Sequence, residues 1–135
     1  MEKVNIWDIE GTEFPAGRRT RVILGQNGAM EGSKFCQGYV VVYKGGGIPE
    51  HDHETVESYT IIKGHGEMEV DGEKQPVKEG DCIFIPGNLK HALYNTGEEE
   101  LHIDVYQRQG FRRPVGSDSV FRGVFRAPDR RCGRC

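Results

Sequence analysis

GGGIPEHDHETVESYTIIKG, residues 45–64, is the stretch from which the rest of the chain is read. His51 and His53 are two apart, so in an extended segment both imidazoles point to one face. Glu57 shares that parity but lies four residues beyond His53, roughly 13 Å along a straight strand. One metal ion cannot be spanned that way. The spacing therefore predicts a bend at Glu54–Val56 that returns the carboxylate to the imidazoles. A third imidazole, His91, follows a separate Pro86-Gly87-Asn88 turn and is placed to complete the set from across a barrel. Three imidazoles and a carboxylate suit one divalent transition metal such as Fe, Mn, Ni, Zn or Cu, whereas magnesium or calcium would ask for more oxygen.

Outward from this stretch the chain reads as strands. Short β-branched or alternating runs fall at Val4–Ile9, Thr20–Leu24, Phe35–Tyr43, Ser58–Lys63, Gly66–Val70, Asp81–Ile85, His91–Tyr94 and Leu101–Tyr106. Turn residues separate them, and Asp71-Gly72 has the form of a two-residue hairpin loop. No window keeps helical periodicity beyond a turn or two. Many short strands at close spacing predict a sandwich or small barrel.

The chain has 135 residues and 15.2 kDa, room for one domain. Its net charge of −3 hides a split. Residues 112–135 hold seven arginines and two aspartates (+5), leaving eleven basic against nineteen acidic side chains (−8) on residues 1–111. An acidic body with a basic tail is not the footprint of a nucleic-acid-binding domain. No apolar run approaches the ~20 residues of a membrane span, and no basic-then-apolar leader opens the chain. Four unevenly spaced cysteines make no disulfide scaffold. The expected setting is the cytoplasm, with neither nucleic acid nor membrane as partner.

With these residues in place, the sequence resembles a small single-domain cupin. That family's first motif, G-x5-H-x-H-x3/4-E-x6-G, is met by Gly45, His51, His53, Glu57 and Gly64. The second, G-x5-P-x-G-x2-H-x3-N, is met by Gly80, Pro86, His91 and Asn95, with Asn88 where a second glycine is expected. Asparagine tolerates left-handed backbone, so the turn should survive. The resemblance covers about 50 residues and implies an all-β fold, a single-domain cupin β-barrel of jelly-roll (double-stranded β-helix) type with six to eight strands. It places the barrel at residues 1–110, with motifs at 45–64 and 80–95; the composition change after Tyr106, where Arg, Gly and Pro become frequent, leaves 111–135 as a basic C-terminal extension, part strand (Val120–Phe125) and part loose end. By carry-over, His51, His53, Glu57 and His91 would be the metal ligands, while Gly64, Gly80 and Asn95 would be turn positions. The family's activities are too varied to fix a substrate.

Other residues are read against plainer alternatives. Tyr59 has the parity of Glu57 and faces the metal side, either as a proton donor or acceptor for substrate or as lining. His102, Asp104 and Tyr106 alternate with Leu101, Ile103 and Val105, so the polar row faces solvent or, if inward, substrate. His65 reads as a solvated turn residue, and Cys36 and Cys82 as buried small hydrophobes. Cys132 and Cys135 have metal or redox spacing without supporting context. Val4–Ile9, with Trp7, reads as an edge strand that needs covering, which predicts a homodimer through strand exchange or sheet packing.

The function expected is a metal-dependent enzyme acting on a small oxygen-containing molecule, by dioxygenase, isomerase or lyase chemistry, with Glu57 or Tyr59 moving protons. The alternative is a non-catalytic module that binds or senses a sugar or carboxylate. A third reading makes the basic tail the binding element.

Overall fold

The computed structural model describes residues 1–32 and 34–108. The expected tail strand and the Cys132/Cys135 pair lie outside the described residues. Among the described residues one 3-10 turn, Ile6–Asp8, precedes ten strands. These are β1 (Thr12–Phe14), β2 (Arg18–Leu24), β3 (Phe35–Val42), β4 (Gly47–His51), β5 (Glu57–Lys63), β6 (His65–Val70), β7 (Glu73–Lys78), β8 (Cys82–Ile85), β9 (His91–Asn95) and β10 (Leu101–Arg108). Two sheets result, β1-β2-β3-β10-β5-β8 and β4-β9-β6-β7, with every strand pair antiparallel. They form a jelly roll, as expected, with more strands than the anticipated six to eight and without closing into a continuous barrel.

Alternation builds the interior. On β10, Leu101, Ile103 and Val105 are fully buried, and the facing positions of β3 and β5 (Val40, Val42, Tyr59 and Ile61) meet them there. Ile48, Met68 and Leu93 of the four-stranded sheet close the same core. Asp71 and Gly72 both take positive φ (49° and 82°) in the β6–β7 hairpin, the conformation that the Asp-Gly pair favours.

Three expectations are corrected. Val4–Ile9 is not a strand: Asn5 accepts a hydrogen bond from the Trp7 amide and starts the 3-10 turn. Trp7 then packs edge-on against Tyr39 (5.6 Å between ring centroids) on the molecule's own sheet, and the Ile9 carbonyl accepts from Arg21 Nε. Local capping and aromatic contact thus hold this segment against the molecule's own sheet. Cys82 is exposed, because its register opposite Thr60 puts it on the outer face of β8, whereas Cys36 is fully buried. Strands β1, β4 and β7 fall outside the anticipated set. β7 is an edge strand carrying Pro76 and four exposed polar residues, so only Val77 supplies an inward apolar signal.

Candidate metal centre

β4 and β9 are neighbours in the four-stranded sheet, and their register sets His51 directly opposite His91. This corrects the expectation that His91 arrives from across a barrel; it stands beside His51. Glu57 is the residue that arrives from the other sheet, as the first position of β5. Between His51 and Glu57 the chain bends at Glu54 and Thr55, as the spacing demanded.

The bend is pinned from three sides. The Asn88 amide donates to the His53 carbonyl (2.7 Å), and the Arg108 amide donates to that of Val56 (3.2 Å). Gln107 Nε2 donates to Thr55 Oγ1 (2.8 Å). Asn88 takes φ +65°, so the departure from the second motif keeps its turn. Gly87 is required for contact: a Cβ there would lie 2.2 Å from the Glu54 carbonyl oxygen. The Pro-Gly-Asn turn is thereby pressed against the segment that carries His53.

All four side chains are buried, and one ligand atom from each lies within 4.8 Å of the others. Each Nδ1 sits 2.8 Å from a backbone carbonyl: His51 on Pro49, His53 on Thr55, His91 on Leu89. A carbonyl only accepts, so each Nδ1 is the protonated nitrogen and each Nε2 presents a lone pair. Those lone pairs meet the Glu57 oxygens at 3.3 Å (His53) and 3.4 Å (His91), close in distance but without hydrogen-bond geometry. Three Nε2 atoms and both carboxylate oxygens are therefore buried without partners. Acceptors converging in a dry interior repel one another unless a cation sits among them. The donor set fits a borderline divalent metal.

Electrostatics agree. Burial, helped by His91, pushes the His51 imidazole down to about 4, so it stays neutral. Burial alone would raise Glu57; positive charge at the His53 and His91 rings outweighs it and brings the carboxyl down to about 2, so Glu57 is an anion that asks for a cation beside it. Tyr59 is fully buried, 6.3 Å ring to ring from His91, with no partner for its hydroxyl. Burial, and then the charge of Glu57, holds that hydroxyl protonated well above the usual tyrosine range.

Sequence reasoning missed further interior polar groups. Gln107 faces Glu57 across the β10–β5 ladder and is 2% exposed, with its Oε1 unpartnered. Thr55 Oγ1, its acceptor, is 3.3 Å from His53 Nδ1, so Gln107 buttresses a ligand. Arg18 and Thr20 on β2 also point inward. The available signal was a polar side chain at an inward parity position of an otherwise apolar row.

Other candidates stand apart. His65 is exposed at the start of β6 and outside the cluster. The His102–Asp104–Tyr106 row faces away from the core, as the solvent reading requires, but His102 is not solvated. Its Nδ1 meets the Tyr39 hydroxyl at 2.8 Å, and its ring lies 6.1 Å from that of Trp7.

The model of the cupin domain family matches residues 38–106, just over half the chain and all four clustered residues. An uncharacterized protein of Aquifex aeolicus is 34% identical over 68 residues, covering 50% of this chain and 56% of that one. The 5-nitrosalicylic acid 1,2-dioxygenase of a Bradyrhizobium species is 32% identical over 95 residues, 64% of this chain and 45% of the relative. The chain thus spans about half the length of the curated relatives it matches. The crystal structure of a predicted oxalate decarboxylase from Thermotoga maritima superposes with a TM-score of 0.70 at 20% identity, over 79% of this chain and 98% of that one. At that identity the likeness concerns the fold.

Proposed function

This chain belongs to the cupin family, and on that premise we propose that it is a metal-dependent enzyme acting on a small oxygen-containing molecule, with His51, His53, Glu57 and His91 as the ligands of one divalent metal. The observation that carries the reading is the convergence of partnerless Nε2 and carboxylate atoms whose tautomers are fixed from behind. A divalent metal in this position supplies Lewis acidity toward a substrate oxygen and, if it is Fe, Mn, Ni or Cu, redox chemistry as well.

The chain's own groups divide the remaining work. The imidazoles, held at Nδ1, keep their orientation without reorganising. Glu57 turns both oxygens to its neighbours and stays ionised, which suits it to ligation. Tyr59, protonated and unpartnered, is the better proton or hydrogen-bond donor to substrate. The dioxygenase relative supports testing oxygen chemistry first. Isomerase and lyase chemistry use the same groups, and a non-catalytic binding module would share the site and lack only turnover.

Metal analysis of the purified protein, followed by oxygen uptake with enols, hydroxybenzoates, catechols and keto acids, tests the reading. Redox-active metal with uptake supports a dioxygenase; zinc with turnover but no uptake supports an isomerase or lyase; tight retention of a ligand without turnover favours the binding module. Absence of stoichiometric metal rejects the proposal. We further read the chain as a cytoplasmic homodimer, joined through the outer face of the six-stranded sheet, where Phe84 and Tyr106 are exposed.

A further inference from the structure

Arg18 is 6% exposed, and no acidic side chain among the described residues pairs with it. Buried cations are ordinarily paired, because one left alone forfeits its hydration. What Arg18 does have is modest. Its Cζ lies 4.2 Å from the centroid of the Phe14 ring, and its Nη1 reaches the Gly47 carbonyl at 3.4 Å. Its Nε is buried with no partner at all.

The backbone holds this arginine in place. The Gly47 amide donates to Ala16 and the Tyr43 amide to Gly17, tying the β1–β2 turn to the start of β4 and the end of β3. Gly46 permits the contact, since a Cβ there would sit 2.2 Å from the Gly17 carbonyl oxygen. Nor is Arg18 alone. Thr20 Oγ1 and the Tyr59 hydroxyl, on fully buried side chains, also lack partners, and the charges of Arg18 and Glu57 both act on Tyr59. Unsatisfied polar groups, Arg18 and Thr20 on β2 with Tyr59 and Glu57 on β5, thus stand on the inner face of one sheet that is otherwise mostly valine, isoleucine and leucine. Native interiors seldom leave such groups unpaired unless something else pairs them.

We infer that the substrate of this chain carries a carboxylate, held side-on by the Nε/Nη2 edge of Arg18, with the substrate's body passing Thr20 and Tyr59 toward the four-residue metal centre. The assignment rests on the metal reading for the substrate's far end. With Nη1 turned to Gly47, one edge of the guanidinium remains, and that edge matches the two oxygens of a planar monoanion. A phosphate dianion would call for further donors.

The test uses the full chain, loaded with Mn(II) or treated with chelator. The probes are α,ω-dicarboxylates from succinate to azelate, with monocarboxylates of equal length as controls. In calorimetric titration of the loaded protein, one chain length should bind at least about tenfold more tightly than any monocarboxylate. Arg18→Met should abolish that advantage with metal content unchanged. Without probe, Arg18→Met should melt at or above the wild-type temperature, because an uncompensated buried charge is gone; an arginine kept for structure would give the opposite sign. An advantage that survives Arg18→Met, or no dicarboxylate exceeding the monocarboxylates, overturns the inference. If Arg18→Met does not fold, Arg18→Lys replaces it, and full retention of the advantage by lysine rejects the side-on fork. The metal reading fails separately. A wild-type chain that takes up no Mn(II), yet binds hexanoate after chelation in a manner lost in the Arg18 variant, rejects the metal centre and keeps the arginine site.

Discussion

His51 and His91 face each other across the β4–β9 ladder with ring centroids 4.2 Å apart, and each is held at Nδ1 by the carbonyl two residues before it, Pro49 and Leu89. The repeated device turns both Nε2 atoms inward, so two nitrogen donors are oriented before any metal arrives. Charging both rings would set like charges together in a buried site.

His53→Ala should cut bound metal to well below one ion per chain, measured by elemental analysis after gel filtration. Removing a ligand costs more than the roughly 10–100-fold in affinity typical of its supporting groups. His65→Ala, altering an exposed residue outside the cluster, should leave metal content unchanged.

Thr55→Val should weaken metal binding by roughly tenfold while leaving the ligands intact. The valine keeps the backbone carbonyl that holds His53 Nδ1 but removes the hydroxyl that links it to Gln107. Competition with a fluorescent chelator reads the change. Unaltered affinity would show that the Gln107–Thr55 link plays no part in orienting His53.

Stability of the metal-free protein should fall on acidification in two windows. His51 is held near 4 when folded and lies at 6.5 when unfolded, so the unfolded chain gains its proton first. Its contribution is complete above 6.5 and is lost as pH drops toward 4, by up to about 3 kcal/mol. Glu57, at about 2 against 4.5, has the same sign, and its contribution fades from 4.5 toward 2. Urea midpoints between pH 7 and 4 test the first window, and His51→Gln should flatten the slope there.

Tyr59→Phe should preserve the fold and metal content while lowering turnover about 10²–10⁴-fold, the range of a positioned proton donor. The hydroxyl makes no well-formed hydrogen bond and lies beside the Glu57 carboxylate, so its removal should not lower the melting temperature. Unchanged kcat in this variant would return Tyr59 to the lining.

Light scattering coupled to gel filtration should give about twice 15.2 kDa. Phe84→Lys with Tyr106→Lys should shift the mass to that of one chain, because both side chains stand exposed on the outer face. Deleting residues 1–8 should not, since the 3-10 turn packs on its own sheet.

The all-β class, most strand positions and the grouping of His51, His53 and Glu57 were legible in the sequence because each depends on neighbours within a few positions, while His91 was marked by its place in the second motif. Parity along an extended chain puts His51 and His53 on one face, and the distance to Glu57 demands a bend. Asp71-Gly72 and Asn88 carry their positive φ as local preferences. Strand pairing is another matter. That His91 stands beside His51, that Gln107 buttresses His53 through Thr55, and that Arg18 enters the interior without a counter-charge are consequences of register between strands far apart in the chain. Cys82 faces outward by its register opposite Thr60, and Val4–Ile9 turns as a 3-10 segment because Asn5 caps it and Trp7 finds Tyr39. Periodicity says which side chains share a face. Only the packing of two sheets decides what that face meets, and so whether a polar atom there has a partner or awaits one.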